Sequence, residues 1–268
     1  MELITPIFGP LSLGTISLLV CCLIMLFVWI WAHNIKNAGV VDIFWSYNFP
    51  VIAIILLLLA PGFETRKLLI CVMVIVAGTR LGTHLAVRVL KHKYDEEPRY
   101  AQLRKEWAPH AERKLFFFFQ FQAISNVLLA IPFIVVSLNK STSLSPFEYA
   151  GAALWVISVL CEAVADAQLV AFKKNPANKG KVCDIGLWGY SRHPNYFFEW
   201  LMWVSYFVFA LGSPYGYLGI ISPAIILYLL LKVTGIPMTE EQSIRSKGDA
   251  FKAYQKRVSA FVPWFKKG

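Results

Sequence analysis

Seven long apolar runs dominate the chain and leave little sequence between them. They lie at Leu11–Trp31, Val41–Ala60, Lys67–Leu90, Leu115–Leu138, Phe147–Phe172, Asn195–Leu211 and Tyr215–Gly235. A helix of about 20 mostly apolar residues crosses the hydrocarbon core of a bilayer. An open sheet cannot cross, because its edge amides would find no partner in lipid. The sequence therefore predicts an all-α fold, a polytopic bundle of seven transmembrane helices forming a single membrane domain over residues 1–268. Composition agrees, with 57% hydrophobic and 16% charged residues and a mean hydropathy of +0.56, well outside the range of ordinary soluble domains. No Lys or Arg precedes the first run, unlike the basic start of a secretory leader, so residues 1–31 read as a mature helix.

The net charge of +10 would suit a nucleic-acid partner if it lay on one soluble face, but it does not. Segment 88–114 holds eight Lys/Arg, segment 173–192 five, the tail from Lys232 eight, and the first loop Lys36. The alternate loops hold only Arg66, Lys67 and Lys140. Basic residues concentrate on the cytoplasmic side of membrane proteins, which predicts an external N-terminus and a cytoplasmic C-terminus. Topology accounts for the charge and leaves nucleic acid out. The pattern suits a bacterial inner membrane and an endoplasmic reticulum alike. Cys21, Cys22, Cys71, Cys161 and Cys183 show no CxxC and no metal-like Cys/His spacing, so they read as packing residues and no metal is expected.

Ionisable groups inside spans are costly and point to function. Asp42 opens the second span, Arg80 and His84 lie four apart in the third, and Glu162 and Asp166 four apart in the fifth, with Lys173 seven further on. Steps of four and seven keep side chains on one helix face. At 1.5 Å per residue, His84 lies about 10 Å above the cytoplasmic end of its helix. The expected arrangement is a polar cavity in the cytoplasmic half. Simple pairing of Asp42 with Arg80 or His84 is the structural alternative.

The densest polar cluster is GLWGYSRHPNYFFEW, residues 186–200. Pro194 suits the first turn of a helix, where its missing N–H has no partner to lose, and this makes His193 the expected cap. Arg192 beside free amides forms an anion site at the positive helix end. Asn195 and Glu199, one turn apart, offer hydrogen bonds to an amide or a ribose, and Trp188, Tyr190 and Tyr196 offer flat surfaces. These are the requirements of a nucleotide cofactor, and with no GxGxxG or P-loop present it would be held without a Rossmann domain. An interfacial aromatic belt explains the rings but not the Asn/Glu pair. The tail, with Glu240, Glu241 and Tyr254, is placed either to close over this segment or to lie on anionic lipid.

GLWGYSRHPNYFFEW, together with EEQSIRSKGDAFKAYQKRVSAFVPW, VVDIFWS and DEEPRYAQLRKEW, resembles the steroid 5-alpha-reductase superfamily, in particular its bacterial uncharacterised branch with a steroid-reductase-like C-terminal domain. The resemblance runs from about residue 38 onward. It implies NADPH held in the cytoplasmic half by the last three helices, with Asn195, Glu199, Asp166 and Glu241 matching family cofactor contacts. Residues 1–114 would then serve the substrate and 115–268 the cofactor. The full cofactor-binding set read from the sequence is Asp166, Lys173, Tyr190, Arg192, His193, Asn195, Tyr196, Glu199, Glu241 and Tyr254. The expected reaction is NADPH-dependent reduction of an activated C=C bond in a lipid-like substrate such as a steroid, sterol or isoprenoid enone. The third span has no tyrosine to polarise the substrate carbonyl, so His84, oriented by Asp42, is the expected donor, with Arg80 as the alternative. The related isoprenylcysteine carboxyl methyltransferases share an RHP-type segment and a Glu-Glu tail, so transfer from S-adenosylmethionine stays open.

Overall fold

The computed structural model describes residues 9–91 and 95–266. Among these residues the secondary structure is helical, with a lone parallel bridge between Ser191 and Ser259. The helices are α1 (Pro10–Ile35), α2 (Val40–Leu59), α3 (Glu64–Lys91), α4 (Pro98–Glu106), α5 (Ala111–Leu129), α6 (Ile131–Leu138), α7 (Pro146–Lys174), α8 (Pro194–Ala210), α9 (Ile221–Tyr228), α10 (Ile236–Lys247) and α11 (Asp249–Arg257).

Five helical stretches are long and apolar enough to cross a membrane: Pro10–Ile35, Val40–Leu59, Glu64–Val89, Pro146–Lys174 and Gly216–Lys247. A sixth is α5 with α6, bent by 41° where Pro132 enters the first turn of α6. The count therefore reaches five or six among the described residues, where hydropathy predicted seven. The difference is α8. It has 17 residues, below the roughly 20 that a perpendicular span needs. The last predicted span, Tyr215–Gly235, is longer than expected. It runs through a π-helical turn at Leu229–Val233 into α10, so Glu240 and Glu241 sit on its extension and not on a separate tail.

The chain divides into two compact units, Met1–Ser145 with Ala210–Gly219, and Pro146–Phe209 with Ile220–Gly268. In the first, α2 packs along α3, and α1 along α5. Sequence grouped the fourth span with the cofactor helices, whereas α5 and α6 belong with α1–α3. The close approach of α2 and α3 rests on a small residue. A Cβ at Gly78 would stand 2.5 Å from Pro50 Cδ and 3.0 Å from the Ser46 carbonyl, so the proline inside α2 nests against a glycine, beside the buried residue whose carbonyl Pro50 leaves without a helical donor. Asn48 Nδ2 donates to Asn126 Oδ1 at 2.9 Å, and Asn126 Nδ2 donates to the Trp45 carbonyl at 2.8 Å. These buried amides tie α2 to α5 inside apolar surroundings, a common way for polar residues to hold membrane helices together. Many large apolar side chains on the outer faces, such as Leu19, Phe121 and Ile124, are exposed, as lipid-facing positions must be.

In the second unit, Gly151 lets α7 approach α8. A Cβ there would lie 2.6 Å from the Phe209 nitrogen. Trp155 Nε1 donates to the Tyr206 hydroxyl at 3.1 Å, and Trp200 Nε1 to the Pro223 carbonyl at 3.1 Å.

Candidate functional site

The candidate site of the second unit is built around the turn that leads into α8. Residues Gly186–Gly189 form one turn of 3₁₀ helix. Gly186 has φ +53°, so glycine is required for conformation, and a Cβ on it would meet the Gln168 amide at 2.5 Å and push that side chain aside. Gln168 Oε1 accepts from the Leu187 amide at 2.9 Å and Trp188 Nε1 donates to the Ala165 carbonyl at 2.8 Å. These two bonds pin the turn to the end of α7.

α8 then starts at Pro194, with the His193 carbonyl accepting the Phe197 amide at 3.1 Å. His193 is the cap that the sequence predicts. It is buried, stacked on Tyr196 with ring centroids 5.4 Å apart. Tyr196 in turn meets Thr239 Oγ1 through its hydroxyl at 3.2 Å.

Arg192 does not present a free charge to a ligand. Its Nε donates to Glu240 Oε1 at 2.6 Å, and one terminal nitrogen donates to the carbonyls of Gln255 at 3.0 Å and Val258 at 2.6 Å. His193 Nε2 lies 3.2 Å from the same Glu240 oxygen, and Gln255 Nε2 donates to Glu240 Oε2 at 2.7 Å. Arg192 and Glu240 are about nine-tenths buried, with side chains 10% and 14% exposed. The anion site expected at Arg192 is thus filled by a side chain of the protein itself. The acid that reaches the turn is Glu240. Glu241, the residue read from the sequence, is exposed and pairs with Arg245 one turn along α10.

The C-terminal segment is bolted to the turn. Ser191 Oγ donates to the Phe261 carbonyl at 2.7 Å, the Arg192 amide donates to Ser259 O at 2.8 Å, and the Trp264 amide to Tyr190 O at 2.9 Å. Tyr254 was expected to contact cofactor. Its hydroxyl instead donates to the carbonyls of Trp188 and Ser191, and burial, with Asp184 nearby, holds its phenol above the ordinary range. Phe251, Tyr254 and Val258 form the small core under this cap, with Val182 and Ile244 against it.

The other residues read from the sequence lie along α7 and α8 and in the turn between them. Asn195 Nδ2 donates to Asp166 Oδ1 at 3.2 Å, so the two residues matched to cofactor contacts on separate helices do meet. Glu199 stands one turn further along α8, half-buried. Lys173 and Tyr190 are exposed.

In the first unit, Asp42 does not orient His84. Its carboxylate accepts from Arg99 at 2.7 Å on one oxygen and from Tyr100 at 2.8 Å on the other. The Arg99 guanidinium also lies 4.6 Å from the Tyr100 ring centre. Asp42 therefore anchors α4, and Tyr100 is fully buried with its phenol held high by burial and by Asp42. Arg80 is half-buried and His84 exposed. Sequence reasoning missed Tyr47 of α2, whose hydroxyl lies 3.0 Å from Thr83 Oγ1 on α3.

Among curated proteins, the chain is 32% identical over 79 residues to the probable O-methyltransferase ustE of Ustilaginoidea virens. That match covers 28% of this chain and 28% of the relative, so the chain spans well under a third of the relative's length. No solved structure matches. The sequence profile described as "Protein of unknown function (DUF1295)" matches residues 28–258, and the chain belongs to that family.

Proposed function

We propose that the protein is a membrane enzyme that transfers a methyl group from S-adenosylmethionine to a lipid-like acceptor. The observation that carries this reading is the charge balance at the α8 turn. The only arginine of the turn is spent on Glu240 and two carbonyls, while Asp166, Asn195 and Glu199 line the helix mouth with acceptors. A phosphate-rich dinucleotide wants free cations there; a sulfonium-bearing amino acid joined to a nucleoside, with its ribose hydroxyls and ammonium, wants carboxylates and an amide. The name of the curated relative points the same way. When bound, the cofactor supplies an electrophilic methyl group. The chain's own residues would hold its ribose and amine through Asn195, Asp166 and Glu199.

A second reading, NADPH-dependent reduction of an activated C=C bond in a steroid, sterol or isoprenoid enone, draws on the resemblance of the RHPNY segment and on the meeting of Asp166 with Asn195. It requires the cofactor phosphates to be neutralised away from Arg192, and exposed Lys173 at the end of α7 is the candidate for that. In this reading His84 or Arg80 would donate to the developing enolate. Seven spans with an external N-terminus, α8 crossing at full depth with the help of its flanking turn, remain our proposal for the topology.

Melting curves of the purified protein decide between the two. S-adenosylmethionine at 100 times its dissociation constant should add about 2.7 kcal/mol of stability, and NADPH should add none. The reverse result transfers the assignment to the reductase. Asn195→Ala should weaken the stabilising cofactor about 5- to 150-fold, the cost of one lost buried hydrogen-bond partner, and isothermal titration would read it. Unchanged affinity removes Asn195 from the site under either reading.

A further inference from the structure

Just before α8 begins, the surface of the second unit changes character. Tyr190, four residues before Pro194, is 47% exposed, and its ring meets Phe265 edge-on at 6.3 Å. The Trp264 amide bonded to Tyr190 O holds the chain end beside it, leaving Trp264 67% and Phe265 75% exposed. Ile185 and Val262 add exposed apolar surface. Beside the aromatics runs a groove of about 310 Å³, lined among others by Lys256, Ser259, Trp264 and Phe265, with Arg192 at its floor.

The groove's lining carries Lys256 on a basic segment, while Arg192 is already paired with Glu240. From Lys247 to Lys266 the chain carries five basic residues and one acid, Asp249. The acids nearest the groove are already satisfied: Glu240 by Arg192, and Asp184 by Arg257 at 3.3 Å and Lys266 at 2.8 Å. An exposed cluster of aromatic rings such as Tyr190, Trp264 and Phe265 marks an interaction site. Here the occupant is indicated by position. The patch lies where the apolar helix α8 gives way to polar chain, the level at which aromatic side chains settle among lipid head groups, and its charge complements an anionic leaflet.

We propose that this groove binds the head group of an anionic phospholipid. Lys256 and the Ser259 hydroxyl would take the phosphate, while Trp264, Phe265 and Tyr190 would lie against the glycerol and upper acyl region. Trp264 and Phe265 thus anchor the cap over the α8 turn to the membrane surface. The inference is independent of which cofactor the protein uses.

The test titrates the full chain, purified in neutral detergent, with phosphatidylglycerol, with phosphatidylcholine and with inorganic phosphate. Melting temperature and lipid retained in native mass spectrometry are the readouts. Phosphatidylglycerol should raise the melting temperature and stay bound; the other two should do neither. Lys256→Gln should melt like the parent without lipid and bind phosphatidylglycerol about fivefold more weakly, the usual weight of one lysine at an anionic surface. Trp264→Ala, which keeps the backbone bond to Tyr190, should also bind it more weakly. Equal retention by parent and Lys256→Gln overturns the proposal, as does an equal shift from phosphatidylcholine. A shift from inorganic phosphate alone would mean a free-phosphate site, and dimerisation through the patch without lipid would mean a protein interface; either also overturns it.

Discussion

Arg192→Met should cost about 3–5 kcal/mol of stability, the penalty for stripping one partner from a buried ion pair. The loss has two parts. Glu240 would be left largely buried with only His193 and Gln255 to stabilise it, and the carbonyls of Gln255 and Val258 would lose their donor. Glu240→Gln should cost less, since the amide keeps hydrogen-bonding capacity toward Arg192. The double variant Arg192→Met/Glu240→Gln should recover part of the Arg192→Met loss, because no buried charge is then left alone. Melting curves in one detergent for the four proteins give the coupling energy, and limited proteolysis of residues 248–266 reports whether the cap has opened. A strictly additive cycle would mean that the pair is solvated and the cap is held by its backbone bonds alone.

That turn shows how unevenly sequence reports a site. His193 and Pro194 were legible because proline at the first helical position is a local rule, and it needs no knowledge of the rest of the fold. The partner of Arg192 was not legible. Glu240 and Glu241 differ by about 100° around a helix axis, and which of them faces the turn depends on where α10 restarts after the π-helical turn and Pro237. Hydropathy found the apolar stretches, and the Asn195–Leu211 run is already as short as α8, but hydropathy could not foresee that Pro132 bends the α5–α6 stretch. Asp42 was read toward the third span because both are apolar helices with ionisable groups. Its true partners sit on nine-residue α4, in a segment so rich in basic residues that no single one stands out. Asn48 and Asn126 escaped notice because neither is ionisable, although a buried amide pair in an apolar run is equally informative. Arg66 was counted only as a loop charge for topology, and it turns out to be one of the most buried side chains in the first unit.

Arg66 carries the other large expected effect. Its side chain is 1% exposed, and its guanidinium donates to the carbonyls of Asn139 at 3.2 Å and of Ser141 and Ser143 at 2.5 Å. One planar fork thereby fixes three carbonyls of the loop between α6 and α7, which has no helix of its own to satisfy them. The neighbouring Lys67 does the same for the end of α2, donating to the carbonyls of Leu57 at 3.1 Å and Ala60 at 3.0 Å. Charged hydrogen bonds contribute about 1.5–3 kcal/mol each, with the whole always less than the sum, so Arg66→Met should lose about 3–5 kcal/mol. Arg66→Lys should recover little, because a single ammonium on a shorter stem cannot span carbonyls that a guanidinium fork reaches together. Lys67→Met should lose about 1–3 kcal/mol, the cost of leaving buried acceptors unmet. The measurement is a melting curve for each variant, beside protease sensitivity of residues 139–145. If Arg66→Met melts with the parent and the loop stays protected, water satisfies those carbonyls and the arginine is not what orders the loop. If Arg66→Lys matches the parent while Arg66→Met does not, the site needs a positive charge and not the geometry of the fork.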